Sequence, residues 1–357
     1  MAELNAEAAV ARPLKTRQFA DVSKGYTIFH DRDVLAAKIT PCWENGKVGQ
    51  AQLDHHIGVG STEFHVLRPG VDLNGRYLLH CLRQPAIRQA GELRMTGSAG
   101  QKRVPVSFFQ ELAIPLPPLD EQRRIAAILD HADAMRAKRR QVIAYLDSLT
   151  TSIFHDMFGD PLSNNRSLPR ATIGSVTEVM TGNSPSRAVA TNFGGAIEWI
   201  KSDNLGGDVA TTAEEWLSER GRVKARVAPA GSVLVTCIAG SPQSIGKASL
   251  VDREVAFNQQ INAVLPSAGL DTSFLLGQLK TTPALVRMKS TGGMKGLVNK
   301  SSFQSIEVLL PRRDEQQDFV QHWDRIRSQR AVLQRTLTED DELFASLQTR
   351  AFRGSCD

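Results

Sequence analysis

The stretch "IPLPPLDEQRRI", Ile114 to Ile125, returns late in the chain as "VLLPRRDEQQDF", Val308 to Phe319. In both copies proline precedes Asp-Glu-Gln, and a long helical pattern follows. Proline can neither donate to a strand ladder nor continue a helix, so it closes the strand before it. Asp120/Glu121 and Asp314/Glu315 then fall in a first helical turn, where negative charge meets the positive end of the helix dipole. This local chemistry accounts for each phrase as a helix start. It leaves the duplication to be explained.

The duplication extends outward on both sides. At the shift that carries Asp120 to Asp314, Phe109 meets Phe303, Leu112 meets Ile306 and Pro117 meets Pro311. Downstream, Leu149 meets Leu343, Ile153 meets Leu347 and Phe158 meets Phe352. Upstream, with small gaps, "MTGSAG" (Met95–Gly100) faces "STGGMKG" (Ser290–Gly296), "RYLLHCLR" (Arg76–Arg83) faces "SFLLGQLK" (Ser273–Lys280), and "DVLAAKI" (Asp33–Ile39) faces "SVLVTCI" (Ser232–Ile238). An ordered series at nearly constant shift is a two-fold repeat of a domain plus a helix, not a short-period solenoid.

Each copy opens with Gly, Ser, Thr and short β-branched runs, which read as short strands and turns. A short apolar run ending in proline follows, then a long helical run. In the first run Ile125, Ile128, Leu129, Ala132, Met135, Val142, Leu146, Leu149 and Ile153 recur at mostly three- and four-residue spacings, an apolar stripe. Arg123, Arg124, Arg136, Lys138, Arg139 and Arg140 occupy the outer positions and read as a solvated or partner-facing surface. The second run carries Phe319, Trp323, Ile326, Leu333, Leu337, Leu343 and Leu347, with a pattern broken around "SQRAVLQRTLTEDDE". Roughly 37 residues at about 1.5 Å each give a helix of about 55 Å, too long for the core of so small a domain. Two such helices with one apolar stripe each are expected to pair as a coiled coil. The fold class is therefore α+β with an internal pseudo-two-fold repeat. The expected domains are 1–117, a helix over 118–160, a second domain 161–311, and a helix over 312–357.

Composition sets the outer bounds. At 357 residues, two domains are expected. Hydrophobic residues make up 41% and charged residues 23%, ordinary for a globular chain. A formal charge of +5 suits a polyanion partner without demanding one. Cys42, Cys81, Cys237 and Cys356 are far apart and form no CxxC pair, which predicts reduced thiols in a cytoplasmic protein. The N-terminus lacks a signal-peptide core, and no run reaches the ~20 apolar residues of a membrane span.

The organisation resembles the specificity (S) subunit of type I restriction-modification enzymes. The segment Pro115–Pro161 looks like that family's central spacer helix almost throughout. "FHDRDVLAAKITPCWENGK" and "GSTEFHVLRP" (within Phe29–Pro69) resemble one class of its target-recognition domain. "TGNSPSR", "IEWIKSDNL", "PAGSVLVTCIAGSPQSIGKASL" and "FNQQINAVLP" resemble another. The resemblance implies two target-recognition domains, each reading half of a split DNA site, separated by two long helices packed as an antiparallel coiled coil that sets the gap. It implies a non-catalytic chain without cofactors. Its implied partners are double-stranded DNA, two modification (adenine methyltransferase) subunits and restriction subunits, with no membrane. One departure stands out. About 30–40 residues of the second copy, through "IEWIKSDNL", have no counterpart before Asp33. The first recognition domain is therefore expected to be shortened, and the alternative reading is a scaffold that docks modification subunits, or another S chain, without reading a full site.

Catalytic signatures do not match. No (N/D)PP(F/Y) phrase is present to shape a pocket for a flipped adenine. "GSPQSIGKAS" (Gly240–Ser249) has five residues between its glycines and Ala248 after Lys247, where a P-loop needs four and Ser/Thr. "GVGSTEF" (Gly58–Phe64) lacks a strand–loop–helix setting, and His55-His56 lacks metal-ligand spacing.

Base reading needs Arg/Lys for guanine and Asn/Gln for adenine, presented on loops, and phosphate contacts need Lys/Arg or hydroxyls. In the second copy the candidates are Ser184, Lys201, Asp203, Asn204, Ser241, Gln243, Ser244, Lys247, Asn258, Gln259, Lys295 and Lys300, with Gly182, Ser186, Arg187, Ser202 and Gln260 beside them. In the first copy they are Lys38, Thr40, Asn45, Lys47, Gln101, Lys102 and Arg103, with Glu44 and Ser98 alongside. Trp199 and Phe257 read as core rather than as stacking platforms.

Overall fold

The computed structural model describes residues 3–22, 24–98, 100–291 and 296–352. The chain divides into two compact units, Met1–Ile143 with Leu333–Asp357, and Ala144–Val332. Each long helix therefore contributes one part to each unit. The helix that begins after the first domain ends within the second unit, and the C-terminal helix ends within the first.

Unit 1 opens with β1 (Leu4–Asn5), β2 (Val10–Ala11) and α1 (Phe19–Val22). Then come β3 (Thr27–His30), β4 (Val34–Ala37), β5 (Val48–Ala51), β6 (Ile57–Gly60) and β7 (Phe64–Leu67). Helices α2 (Gly75–Leu82), α3 (Pro85–Leu93) and α4 (Val106–Glu111) precede the long α5 (Leu119–Phe158). One sheet has the order β1-β2-β5-β4-β7, and β3 pairs separately with β6. All four β4 residues are buried, and Trp43, Leu79 and Phe108 close the core beneath them.

Unit 2 carries β8 (Arg170–Thr172), α6 (Ile173–Val176), β9 (Val179–Thr181), β10 (Phe193–Ile200), β11 (Trp216–Leu217), α7 (Glu219–Lys224) and β12 (Val227–Ala228). It continues with β13 (Val233–Thr236), β14 (Ile238–Ala239), β15 (Ala248–Leu250), β16 (Val255–Phe257) and β17 (Ile261–Val264). Helices α8 (Thr272–Thr281) and α9 (Ala284–Arg287), strand β18 (Gly296–Leu297), helix α10 (Lys300–Gln304) and strand β19 (Glu307–Leu309) lead into the long α11 (Arg313–Phe352). Its sheets run β11-β10-β16-β12 and β15-β13-β17-β9, with β8 paired to β19.

The repeated Asp-Glu-Gln phrase acquires a tertiary meaning through its glutamine. Gln122 and Gln316 are buried. Gln122 Oε1 accepts from the Asn74 amide at 2.8 Å, and its Nε2 donates to the Pro117 carbonyl at 2.8 Å. Gln316 repeats this with the Asp271 amide and the Pro311 carbonyl, both at 2.9 Å. Asn74 and Asp271 are the N-caps of α2 and α8. The glutamine thus bonds the start of the domain helix to the start of the long helix.

The ends of the long helices close the same way. Phe158 of α5 meets Phe274 of α8 at 5.1 Å between ring centroids. In unit 1, Phe352 of α11 meets Tyr77 of α2 at 5.2 Å.

The middle of α5 differs from the expected apolar stripe. Ile128, Met135 and Val142 are exposed, whereas Gln122 and Asp133 are buried. Arg136 and Arg139 do not form a solvated face, because they turn toward α11 within unit 1. Arg136 Nε donates to Asp341 at 2.6 Å, Arg139 to Asp340 at 2.7 Å, and Arg140 to Asp341 at 2.9 Å. In unit 2, Arg330 of α11 pairs with Asp147 of α5. The stretch that broke the pattern in the second helix supplies these aspartates, and α11 runs through it without interruption.

Asp130 shows how tightly charge is held in unit 1. His80 Nε2 lies 2.7 Å from it, and Arg76 Nε donates to both of its oxygens at 3.0 Å. Burial alone would raise this carboxyl, but the hydrogen bonds from His80 and Arg76 outweigh it and hold the pKa at about 2. A depressed carboxylate stabilises the fold above its unfolded pKa and loses that contribution as pH falls through the folded one. Unit 1 is expected to lose about 1–2 kcal/mol from this group between roughly pH 4 and pH 2, the figure being reduced for partial exposure. Acid titration of Asp130→Asn should lack that component, and an identical acid profile would contradict the assignment.

Candidate nucleic-acid interface

The loops of unit 2 that carry the sequence candidates are brought together by strand direction. β10 and β16 are parallel neighbours, with Trp199 opposite Ala256 and Ile200 opposite Phe257. Both strands therefore end at the same edge, and the turns after Ile200 and Phe257 emerge side by side. β9 ends nearby, where the Asn183 amide donates to the Phe257 carbonyl at 3.1 Å. A methyl group at Gly182 would sit 2.2 Å from the Asn258 carbonyl, so only glycine permits this approach.

Side chains tie the turns to one another. Ser184 bonds Gln259, and Ser202 donates to Gln260 at 3.4 Å. The Gln260 carbonyl accepts from the Cys237 amide at 2.8 Å, which adds the loop after β13. The Lys247 stem passes 3.9 Å from the Cβ position of Gly206, so that loop borders the turn following β10.

Within this cluster the candidates fall into two groups. Lys201 is engaged with Glu215 and lies 5.3 Å above the Trp199 ring, and Arg187 holds the same Glu215 at 2.9 Å. The Lys201 hydrogen bond, with help from Arg187, keeps the Glu215 carboxyl below its ordinary range. Asn204 caps the turn through the Lys201 amide at 3.0 Å, and buried Asn258 accepts from the Gln260 amide at 3.1 Å. Asp203, Ser241, Gln243, Lys247, Gln259 and Lys300 are exposed, and Ser244 is half-buried. Among the described residues the Lys247 amine makes no ion pair. Lys295 lies outside the described residues. Trp199 and Phe257 are buried core side chains.

In unit 1 two candidate segments meet. The Thr40 hydroxyl donates to the Lys102 carbonyl at 2.9 Å, and the Val104 amide donates to the Lys38 carbonyl at 2.8 Å. The turn 41–47 is closed by the Lys47 amide donating to Cys42 at 3.0 Å, with Asn45 exposed on it. Gln101 and Lys102 are exposed. Arg103 forms a two-pronged pair with Glu63, both contacts at 2.9 Å, which lowers the Glu63 pKa.

Sequence reasoning missed Asn183. Its side chain accepts from the Arg226 amide at 2.7 Å and donates to the Lys224 carbonyl at 2.8 Å, fastening the turn that presents Ser184. The only signal was an Asn beside a Gly in a turn-rich stretch. Among the described residues, no helix is long and apolar enough to cross a membrane, and no group of His, Cys, Asp and Glu could hold a metal ion.

A family described as "Type I restriction modification DNA specificity domain" matches residues 10–145 and 170–338. The specificity subunit of the type I restriction enzyme EcoAI of Escherichia coli is 52% identical over 111 residues, 30% of this chain and 19% of that protein. The EcoEI specificity subunit, also from Escherichia coli, is 50% identical over 117 residues, 32% of this chain and 20% of that protein. The matched segment thus spans about one fifth of each of these relatives. Among solved structures, an S subunit of a type I restriction-modification system from M. genitalium superposes with a TM-score of 0.59 at 14% identity, covering 90% of this chain and 83% of that one. A chain from a structural study of the assembly of a type I R-M system superposes with a TM-score of 0.56 at 22% identity, covering 93% and 84%. At such identities the structures bear on fold alone, while the family match covers most of the chain in two blocks. The chain belongs to the type I restriction modification DNA specificity domain family.

Proposed function

We propose that this chain is a non-catalytic DNA sequence-specificity subunit of a type I restriction-modification complex. In this reading each unit addresses one half of a bipartite double-stranded site. The long helices, paired antiparallel, set the gap between halves and dock two modification subunits, with restriction subunits joining for cleavage. The observation that carries the reading is the convergence of four polar loops of unit 2 at one edge, with Gln243, Lys247 and Gln259 exposed on them. Such side chains supply the donors and acceptors that base edges and phosphates require. In unit 1 the exposed Asn45, Gln101 and Lys102 offer the same chemistry, while Lys201 and Arg103 would first exchange their carboxylate partners for DNA.

The deciding experiment assembles the chain with its modification subunits and maps methylated adenines. A bipartite adenine-containing motif is expected, and deletion of residues 161–311 should abolish specific methylation. Retained specific methylation after that deletion would favour the scaffold reading instead. For a phosphate contact, Lys247→Ala should weaken DNA binding by the complex and reduce the slope of log K against log salt by about one unit. An unchanged slope would remove Lys247 from the interface.

A further inference from the structure

Unit 2 provides an internal reference for unit 1. Strands β13, β15 and β17 correspond to β4, β5 and β7, and each set has the same antiparallel pairing about its first member. The pair β12 and β16 corresponds to β3 and β6. Even the parallel bridge of Val209 to Leu250 returns as the parallel pairing of Val10 with Gln50.

One segment of unit 2, Arg170–Ile200, has no counterpart among the described residues of unit 1. It supplies three strands, with β8 beside β19, β9 beside β17 and β10 beside β16. Each of those neighbours has a counterpart in unit 1, and each counterpart lacks a strand on that side among the described residues. Ala113–Pro115, the equivalent of β19, forms no strand. β7 ends its sheet, and β6 pairs only with β3. Three vacant positions that belong to one contiguous segment are a single feature, not three accidents of strand length.

The covered face is open as well. In unit 2, Ile197 and Trp199 of β10 pack over Ala256 and Val227. In unit 1 the corresponding Ile28 is 42% exposed, with Ile57 at 46% and Tyr26 at 47% nearby. Phe19, Tyr26, Ile57 and Val59 line a cavity of about 720 Å³ on this face. An unpaired strand edge beside an uncovered apolar surface is a template for strand addition.

We propose that the outer edges of β7 and β6, with the apolar cavity beside them, form the seat of an added polypeptide segment built like Arg170–Ile200. Its second strand, built like β9, pairs antiparallel with β7. A later strand runs parallel to β6 and lays its apolar side chains over Ile28 and Val59. The pairing atoms on β7 follow from its register. The Lys38 amide donates to the Glu63 carbonyl at 2.9 Å, so bonds to β4 fall on alternate residues and the Val66 N–H points outward.

The test mixes the full chain with a synthetic peptide of the sequence Arg170–Ile200 and follows binding and amide exchange. Saturable one-to-one binding is expected, with exchange at Val66 slowed at least about ten-fold. Val66→Pro removes the outward N–H while sparing the bonds to β4, so it should keep the fold and lose the peptide. A second arm fuses the same segment ahead of Met1 through a flexible linker, which should raise the unfolding midpoint of unit 1 without using the proline variant. The proposal is overturned if neither arm has an effect, or if binding survives Val66→Pro in a folded protein. It is equally overturned if Val66 is already protected in the chain alone and sedimentation shows a dimer, since a second copy would then hold the seat.

Discussion

Phe319→Ala is expected to destabilise unit 2 by about 3–5 kcal/mol, the range for emptying a buried aromatic site. Phe319 is fully buried, with ring centroids 5.3 Å from Phe154, 6.0 Å from Phe158 and 6.0 Å from Phe274. Those four rings come from α5, α8 and α11, so one side chain joins both long helices to the recognition domain. The backbone leaves little room to collapse. A Cβ at Gly277 would lie 2.5 Å from the Phe319 ring, which means α8 already approaches α11 as closely as glycine allows. Urea melts read by tryptophan fluorescence should show the midpoint falling by about 2 M, for a slope of about 2 kcal/mol/M. A loss under about 1 kcal/mol would mean that the neighbouring rings close the gap.

Arg330→Met should cost about 3 kcal/mol, because it leaves the buried Asp208 carboxylate with one cation fewer. Arg330 contacts Asp147 on α5 and Asp208 in the loop after β10, and Asp208 is 7% exposed. Lys280 of α8 adds a second cation 2.5 Å from Asp208. Burial pushes the Lys280 amine down to about 8, more than the Asp147 charge restores, so this lysine alone is a poor substitute for the guanidinium. Arg330→Lys should recover only part of the loss, since one compact ammonium cannot reproduce the planar fork whose two nitrogens reach separate carboxylates. In an Asp208→Asn background the loss from Arg330→Met should shrink, since the charge that the arginine neutralises is gone. An undiminished loss in that background would show that the arginine acts by packing alone.

The same arrangement is present in unit 1, reached by different residues. Arg136 and Asp341 stand at the repeat positions of Arg330 and Asp147, and Arg83 matches Lys280. The remaining acid is Asp133 on the helix in unit 1 but Asp208 on a domain loop in unit 2. Sequence comparison aligned the helices without revealing this exchange, because equivalence of charge in space does not require equivalence of position in the chain.

Periodicity and repetition made the architecture legible: the two-fold repeat, the helix starts after proline, the short-strand domains and the family. These are properties of residue type and spacing along one chain. The candidate loops were likewise visible as polar, glycine-containing stretches. Which of their side chains face solvent was not, since Lys201, Asn204 and Asn258 are engaged by partners up to 14 residues away in sequence.

Three things were decided only by the tertiary structure. The glutamine of the repeated phrase looks like any polar residue in a helix, and its role exists because Asn74 and Asp271 arrive beside it from the preceding domain. The middle of the second long helix looked irregular because positions turned toward the other helix hold Arg330, Asp340 and Asp341, which a count of apolar residues skips and which become complementary only when the other helix is present. The open edges of β6 and β7 could not be read from their own residues. A strand's sequence carries its alternation of faces, but whether its backbone groups are paired depends on which neighbour the fold places there.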